Sequence, residues 1–348
     1  MTDSGFRLLA LTILFPVLVI VALAVALVGC DAQLSITKPA QVLATVGGPF
    51  GIAVDSTNVY VCTVDPAPLL TVPVGGGAAS PVGVQAGGHG IAVDERRLYW
   101  SDGQSVLACD KANCTGSTVM LAPGQLDVLD LVVDATTVYW ATASGTPGNG
   151  RIMRADKNGG TPVDGGASTG GGTWADGGAS DGGGPAVDGG TPVEIAAASW
   201  PYHVVVDATY VYWIDQTGPN IGVMKAPIAG GPAVRLVASD NEPELDAMAL
   251  DDDNVYFANG AGTVFEVSKS GGATKMLLSN LGQFPGGLAT DATTLYIAAS
   301  TKLVSVPLGG GVARTMATGI AGAEGIALDA TSVYIADDAG DTILRVAK

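Results

Sequence analysis

From about residue 41 onward the chain alternates short apolar stretches with turns, and one phrase keeps returning. A short apolar run ends in Asp, three turn residues follow, and then comes Val or Leu followed by Tyr. It reads GIAVDSTNVYV, GIAVDERRLYW, LVVDATTVYW, VVVDATYVYW, MALDDDNVYF, LATDATTLYI and IALDATSVYI. Its aspartates are Asp55, Asp94, Asp134, Asp207, Asp251, Asp291 and Asp329. They stand about forty residues apart, the period of a four-stranded propeller blade, except between Asp134 and Asp207, where extra sequence intervenes. Each unit continues into a third apolar stretch such as LLTVPV, VMKAPI, VFEVSK or LVSVPL. Glycine turns (VGGGAA, IAGGPA, KSGGAT, LGGGVA) and a fourth stretch follow. The glycines supply the positive φ angles of tight hairpins. The pattern predicts an all-β fold, a seven-bladed β-propeller of four-stranded antiparallel blades over residues 41–348. TILRVAK at the end is a third strand without a fourth, and QVLATV at 41–46 is a fourth strand without a blade. Pairing them closes the ring and removes free sheet edges. The repeated Asp suits the turn, where a short carboxylate accepts a backbone N–H two residues on.

Ahead of the first unit, Arg7 precedes an unbroken apolar run from Leu8 to Gly29. That is the hydrophobic core of an export signal, although it is long enough to span a membrane. The run closes on Leu27-Val28-Gly29-Cys30, which resembles the bacterial lipobox. The resemblance implies a signal peptide over 1–29, acylation of Cys30 by palmitate-type chains, and a lipidated tether over 30–40. Each buried CH₂ contributes about 0.8 kcal/mol to membrane retention. An uncleaved signal anchor is the alternative, and both readings place the propeller outside the cytoplasm, in the cell envelope. Asp31 fits an inner-membrane retention pattern that does not hold in all bacteria, which leaves the membrane open.

The third unit carries an insertion over 157–190 that repeats VDGG and ADGG and lacks the apolar surface to order itself. Sixteen Lys plus Arg against thirty-three Asp plus Glu give a net charge of −17, which repels phosphate backbones and excludes nucleic acid as a partner. An acidic surface favours divalent cations or basic partners, or serves solubility alone. A monomer is expected. Cys109 and Cys114 flank DKAN in a hairpin, a spacing that suits a cross-hairpin disulfide in an oxidising compartment. Zinc is the competing reading, but that turn lacks the histidines a four-ligand site needs. Cys62 has no evident partner.

LYWSD at Leu98 to Asp102 is close to the YWTD signature of the low-density lipoprotein receptor propellers, with VYWAT and VYWID as looser versions. The chain also resembles NHL-repeat propellers and the seven-bladed virginiamycin B lyase-like propellers over about 41–348. It departs from the YWTD type in blade number. Such motifs specify fold far more than function. Propeller ligands usually bind where the loops entering the first strands gather around the channel. Counting back four or five positions from each repeated Asp reaches Phe50, His89, Asp130, His203, Asp246, Gly286 and Glu324. The loops after the second strands add Asp65, Asp102, Asp215, Asp337 and Asp338, so this face should be acidic. Three readings follow. The first is a binding or scaffold propeller that recognises a protein, peptide or glycan, with Phe50, Trp200 and Tyr202 as stacking aromatics. The second, implied by the lyase-like resemblance, is a metal-dependent lyase or lactone hydrolase. It would use His89, His203 and Glu324 as catalytic candidates, with Asp130 and Asp246 completing a site for a divalent cation such as Ca²⁺ or Mg²⁺. The third is an extracytoplasmic sensor. Metal-ligand distances among these side chains would favour the enzyme; scattering around the rim would favour binding.

Overall fold

The computed structural model describes residues 39–63, 67–86, 90–143, 145–159, 161–162, 191–217, 221–238, 245–282 and 284–348. The expected signal peptide, Cys30, His89, Asp65 and most of the Gly/Asp-rich insertion lie outside the described residues.

Strand β1 (Gln41–Thr45) comes first. Blade 1 is β2 (Pro49–Val54), β3 (Asn58–Thr63), β4 (Ala67–Pro73) and β5 (Ser80–Ala86). Blade 2 is β6 (Ile91–Val93), β7 (Arg97–Ser101), β8 (Val106–Asp110) and β9 (Val119–Ala122), with the one-turn helix α1 (Cys114–Ser117) in its last hairpin. Blade 3 is β10 (Val128–Val133), β11 (Thr137–Thr142), β12 (Gly150–Asp156) and β14 (Val193–Ala198). Blade 4 holds β15 (Pro201–Val206), β16 (Tyr210–Asp215), β17 (Gly222–Pro227) and β18 (Val234–Ala238). Blade 5 holds β19 (Leu245–Leu250), β20 (Asn254–Asn259), β21 (Thr263–Ser268) and β22 (Lys275–Leu278). Blade 6 holds β23 (Gly287–Thr290), β24 (Thr294–Ala299), β25 (Lys302–Pro307) and β26 (Arg314–Thr318). Blade 7 is β27 (Ala323–Leu328), β28 (Ser332–Asp337) and β29 (Thr342–Ala347), completed by β1, which pairs antiparallel with β29. The protein is a seven-bladed β-propeller closed by the clasp expected from its two ends.

Seven apolar clusters fill the seven seams between neighbouring blades. Each second strand is buried on both faces and supplies two seams at once: Leu98 and Trp100 of β7 pack towards blade 1, Tyr99 towards blade 3. This two-sided burial explains why these strands read as continuous apolar runs instead of alternating ones.

The repeated Asp and Tyr form one unit. In blade 2, the backbone N–H groups of Arg96 and Arg97 donate to Asp94 Oδ1 at 2.9 and 2.6 Å, and Tyr99 Oη donates to Asp94 Oδ2 at 3.0 Å. The other six blades repeat the Tyr hydroxyl bond, from Tyr60, Tyr139, Tyr212, Tyr256, Tyr296 and Tyr334. In four seams a Lys that directly follows the next blade's third strand reaches back to the same carboxylate: Lys111 to Asp55 at 2.7 Å, Lys157 to Asp94 at 2.5 Å, Lys269 to Asp207 at 3.0 Å and Lys348 to Asp291 at 3.1 Å. Burial alone would raise these carboxyls. The hydrogen bonds overcome it and hold all seven below the ordinary carboxylate range.

Two local features complete the frame. Cys109 and Cys114 form the expected disulfide, and Cys62 is a buried free thiol packed in the same cluster. The insertion does not begin as an unstructured segment at 157: Lys157 is bound as above, and β13 (Thr161–Pro162) adds a fifth strand to blade 2 by pairing with β9. Among the described residues, no helix is long and apolar enough to cross a membrane.

Candidate functional site

The innermost strands start at the channel mouth, and their first residues follow two rules. Four positions before the repeated Asp, neighbouring inner strands run so close in several seams that a Cβ would be crowded. At Gly90 it would lie 2.9 Å from Leu131 N, and at Gly325 it would lie 2.6 Å from the Phe50 carbonyl oxygen. The same place in blades 3 and 4 holds Asp130 and His203. Asp130 turns the close approach into a bond, with Oδ2 accepting the N–H of Val204 in blade 4 at 2.8 Å and Oδ1 that of Leu131 at 2.8 Å. His203 takes φ 45°, in the left-handed region, which sets its ring beside the backbone of Asp246 in blade 5. Asp130 therefore latches the seam between blades 3 and 4.

The second rule is a bulge. The ladder between first and second strands slips at 128/130, 202/204, 245/247 and 323/325, which extrudes Leu129, His203, Asp246 and Glu324. Bulges of this kind re-aim side chains, here around the channel. Two adjoining cavities of about 160 and 250 Å³ open there, sharing Phe50, Tyr202, His203, Gly286 and Glu324. Asp130 lines the first, and Asp246 with Phe284 the second.

The electrostatics follow from this crowding. Asp130 and His203 keep some contact with channel water yet are packed round by protein, and the packing governs their protons. Burial pushes Asp130 up to about 6 in spite of its two N–H partners, and pulls His203 down to about 4 in spite of the Asp246 backbone beside it, which acts to raise it. Glu324 is raised by burial and then by the charge of Asp338. Tyr202, edge-on to His203 with ring centroids 4.8 Å apart, is raised by burial and by the charges of Asp130, Glu324 and Asp246. One phenol thus senses carboxylates from blades 3, 5 and 7.

The site residues expected from sequence divide accordingly. Asp130, His203, Asp246 and Glu324 do gather at the mouth with Phe50 and Tyr202, whereas His89 is outside the described residues. Among the described residues, no three His, Cys, Asp or Glu side chains come together to hold a metal ion. Several rim aspartates are spent on loops. Asp215 accepts the N–H groups of Ser199 and Trp200, Asp337 those of Ala321 and Gly322, and Asp102 those of Gln104 and Ser105. Phe284 was not legible by counting back from Asp291. It precedes Pro285, takes φ 51°, and is 53% exposed. Its ring flanks Gly260 beside the Asp246 carboxylate, at 3.0 and 3.2 Å from where a Cβ would stand. A bulky residue with positive φ was the feature to look for, and sequence does not display φ.

No family model matches the chain, and no curated protein matches it. Among solved structures it is similar to the computationally designed Ika8 protein, at 12% identity over 88% of this chain and 100% of that one, with a TM-score of 0.55. It is also similar to a chain from a nidogen/laminin complex, at 13% identity over 75% of this chain and 89% of that one, with a TM-score of 0.48. At such identities a likeness speaks to fold alone.

Proposed function

We propose that this chain is a lipid-anchored envelope protein whose propeller binds a ligand at the channel mouth without chemistry. One observation carries the reading: the polar side chains described there are spread over blades 3, 4, 5 and 7 and do not converge into a metal site. Dispersed acceptors among aromatic walls recognise a ligand, whereas a metal-assisted lyase needs ligands meeting at one ion. Asp130, raised by burial to about 6, already accepts two backbone N–H groups, which suits a seam better than a general base. The kinship with YWTD, NHL or lyase-like propellers rests on the repeated motifs, and the anchor rests on the Cys30 lipobox.

Peptide and glycan arrays probed with the full chain in detergent test this. The expected result is a ligand set that survives EDTA and is lost in Tyr202→Ala with the melting temperature unchanged. Divalent-dependent turnover of lactone substrates, abolished in His89→Ala/His203→Ala, would overturn it in favour of the enzyme.

A further inference from the structure

The geometry points to a guanidinium group as the ligand chemistry of this mouth, an inference that rests on the binding reading above. Neither cavity has Lys or Arg among its lining residues. Apart from the Tyr202 hydroxyl, the polar side chains that line the two cavities offer acceptors: the carboxyl groups of Asp130, Asp246 and Glu324, and the imidazole of His203. A neutral imidazole keeps a lone pair on one of its two ring nitrogens. The complementary ligand carries several N–H donors and positive charge.

Three further facts narrow the cation. The acidic groups acting on Tyr202 come from separate blades and form no three-donor cluster among the described residues, which disfavours a small inorganic ion and favours a charge spread over several atoms. Phe50, Tyr202 and Phe284 supply aromatic surface from blades 1, 4 and 6, and a planar guanidinium stacks on such faces while its edge donates to carboxylates. The cavities, about 160 and 250 Å³, fall below the roughly 300–1,000 Å³ of drug-sized sites, so they admit one side-chain-sized group and not a folded segment. A net charge of −17 draws cations towards the propeller in general, and the mouth selects among them.

Calorimetric titration of the full chain in detergent with N-acetyl-arginine amide tests the inference, with N-acetyl-citrulline amide as the neutral isostere. The arginine probe is expected to bind at least about tenfold more tightly than the citrulline probe, a difference of about 1.4 kcal/mol. Glu324→Gln and Asp246→Asn should each weaken it about tenfold with the melting temperature unchanged. Two supporting outcomes separate the sources: an arginine tripeptide binding more tightly than free agmatine indicates a polypeptide ligand, and the reverse order indicates a small guanidine. Equal binding of citrulline and arginine probes, no binding of either, or indifference to both isosteric substitutions would overturn the inference. If an array ligand still depends on Tyr202 in that case, only the ligand class falls; if none does, the binding reading falls with it.

Discussion

Lys157 shows how single side chains lock the ring. Only 7% exposed, it pairs with Asp94, donates to the Asp134 carbonyl at 2.8 Å, and lies 5.4 Å from the centre of the Tyr99 ring, while its own carbonyl accepts from Arg97. Removing such a buried charge strands its partner, whereas exposed pairs contribute little. Lys157→Met should therefore cost about 1–3 kcal/mol in urea unfolding, and Lys275→Met, at the exposed Glu266 pair, at most about 1 kcal/mol. Protonation offers a second residue-scale test. The native His203 resists its proton until about pH 4, whereas an unfolded imidazole accepts it near 6.5, so its stabilising contribution is present above 6.5 and lost as pH falls towards 4. Asp130, raised to about 6, acts oppositely across the same interval, because its native form binds the proton more readily than the unfolded chain does. Stability should change little there. Below about pH 4 it should fall steeply as the seven turn aspartates, held low by their hydrogen bonds, are forced to protonate. An NMR titration placing His203 near 6.5 would contradict this account of the channel.

Among the elements, the clasp and the disulfide hairpin carry separable stability. Leu43 in β1 is 5% exposed and packs into the seam between blades 7 and 1, while its neighbour Val42 is 55% exposed. Leu43→Ala should cost about 2–5 kcal/mol and Val42→Ala no more than about 0.5 kcal/mol, as measured by thermal or urea unfolding. Cys109→Ser/Cys114→Ser should lower stability by about 2 kcal/mol, the loop-closure contribution of so short a ring. The strands were legible because each blade repeats the same Asp-turn-Tyr phrase, and the clasp because two orphan strands needed each other. The Lys latches were partly legible: Lys111, Lys157, Lys269 and Lys348 all directly follow a third strand, but only the ring reveals the carboxylate they reach. Pairing of β13 with β9 was hidden, because Thr161-Pro162 carries no strand pattern and the contact crosses blades. Counting back from the turns found Asp130, His203, Asp246 and Glu324, yet it missed their division of labour, which depends on bulges and on how closely neighbouring inner strands approach.

For the whole molecule, seven seams filled by apolar clusters frame a channel mouth where the inner-strand pattern is broken. Glycine or alanine holds the close-approach position in five blades, while blades 3 and 4 carry Asp130 and His203 there. The adjoining bulges bring acidic and aromatic side chains to one opening. Recognition is proposed to happen at this break and not on the outer strands, where Val42, Val234 and Met276 are also exposed. Amide hydrogen exchange of the full chain, with and without saturating N-acetyl-arginine amide, tests it most directly. Binding at the mouth should slow exchange only at 49–52, 201–204, 245–247, 284–288 and 323–326. Protection centred on the outer strands, or on the face that carries the Asp-Tyr turns, would contradict it.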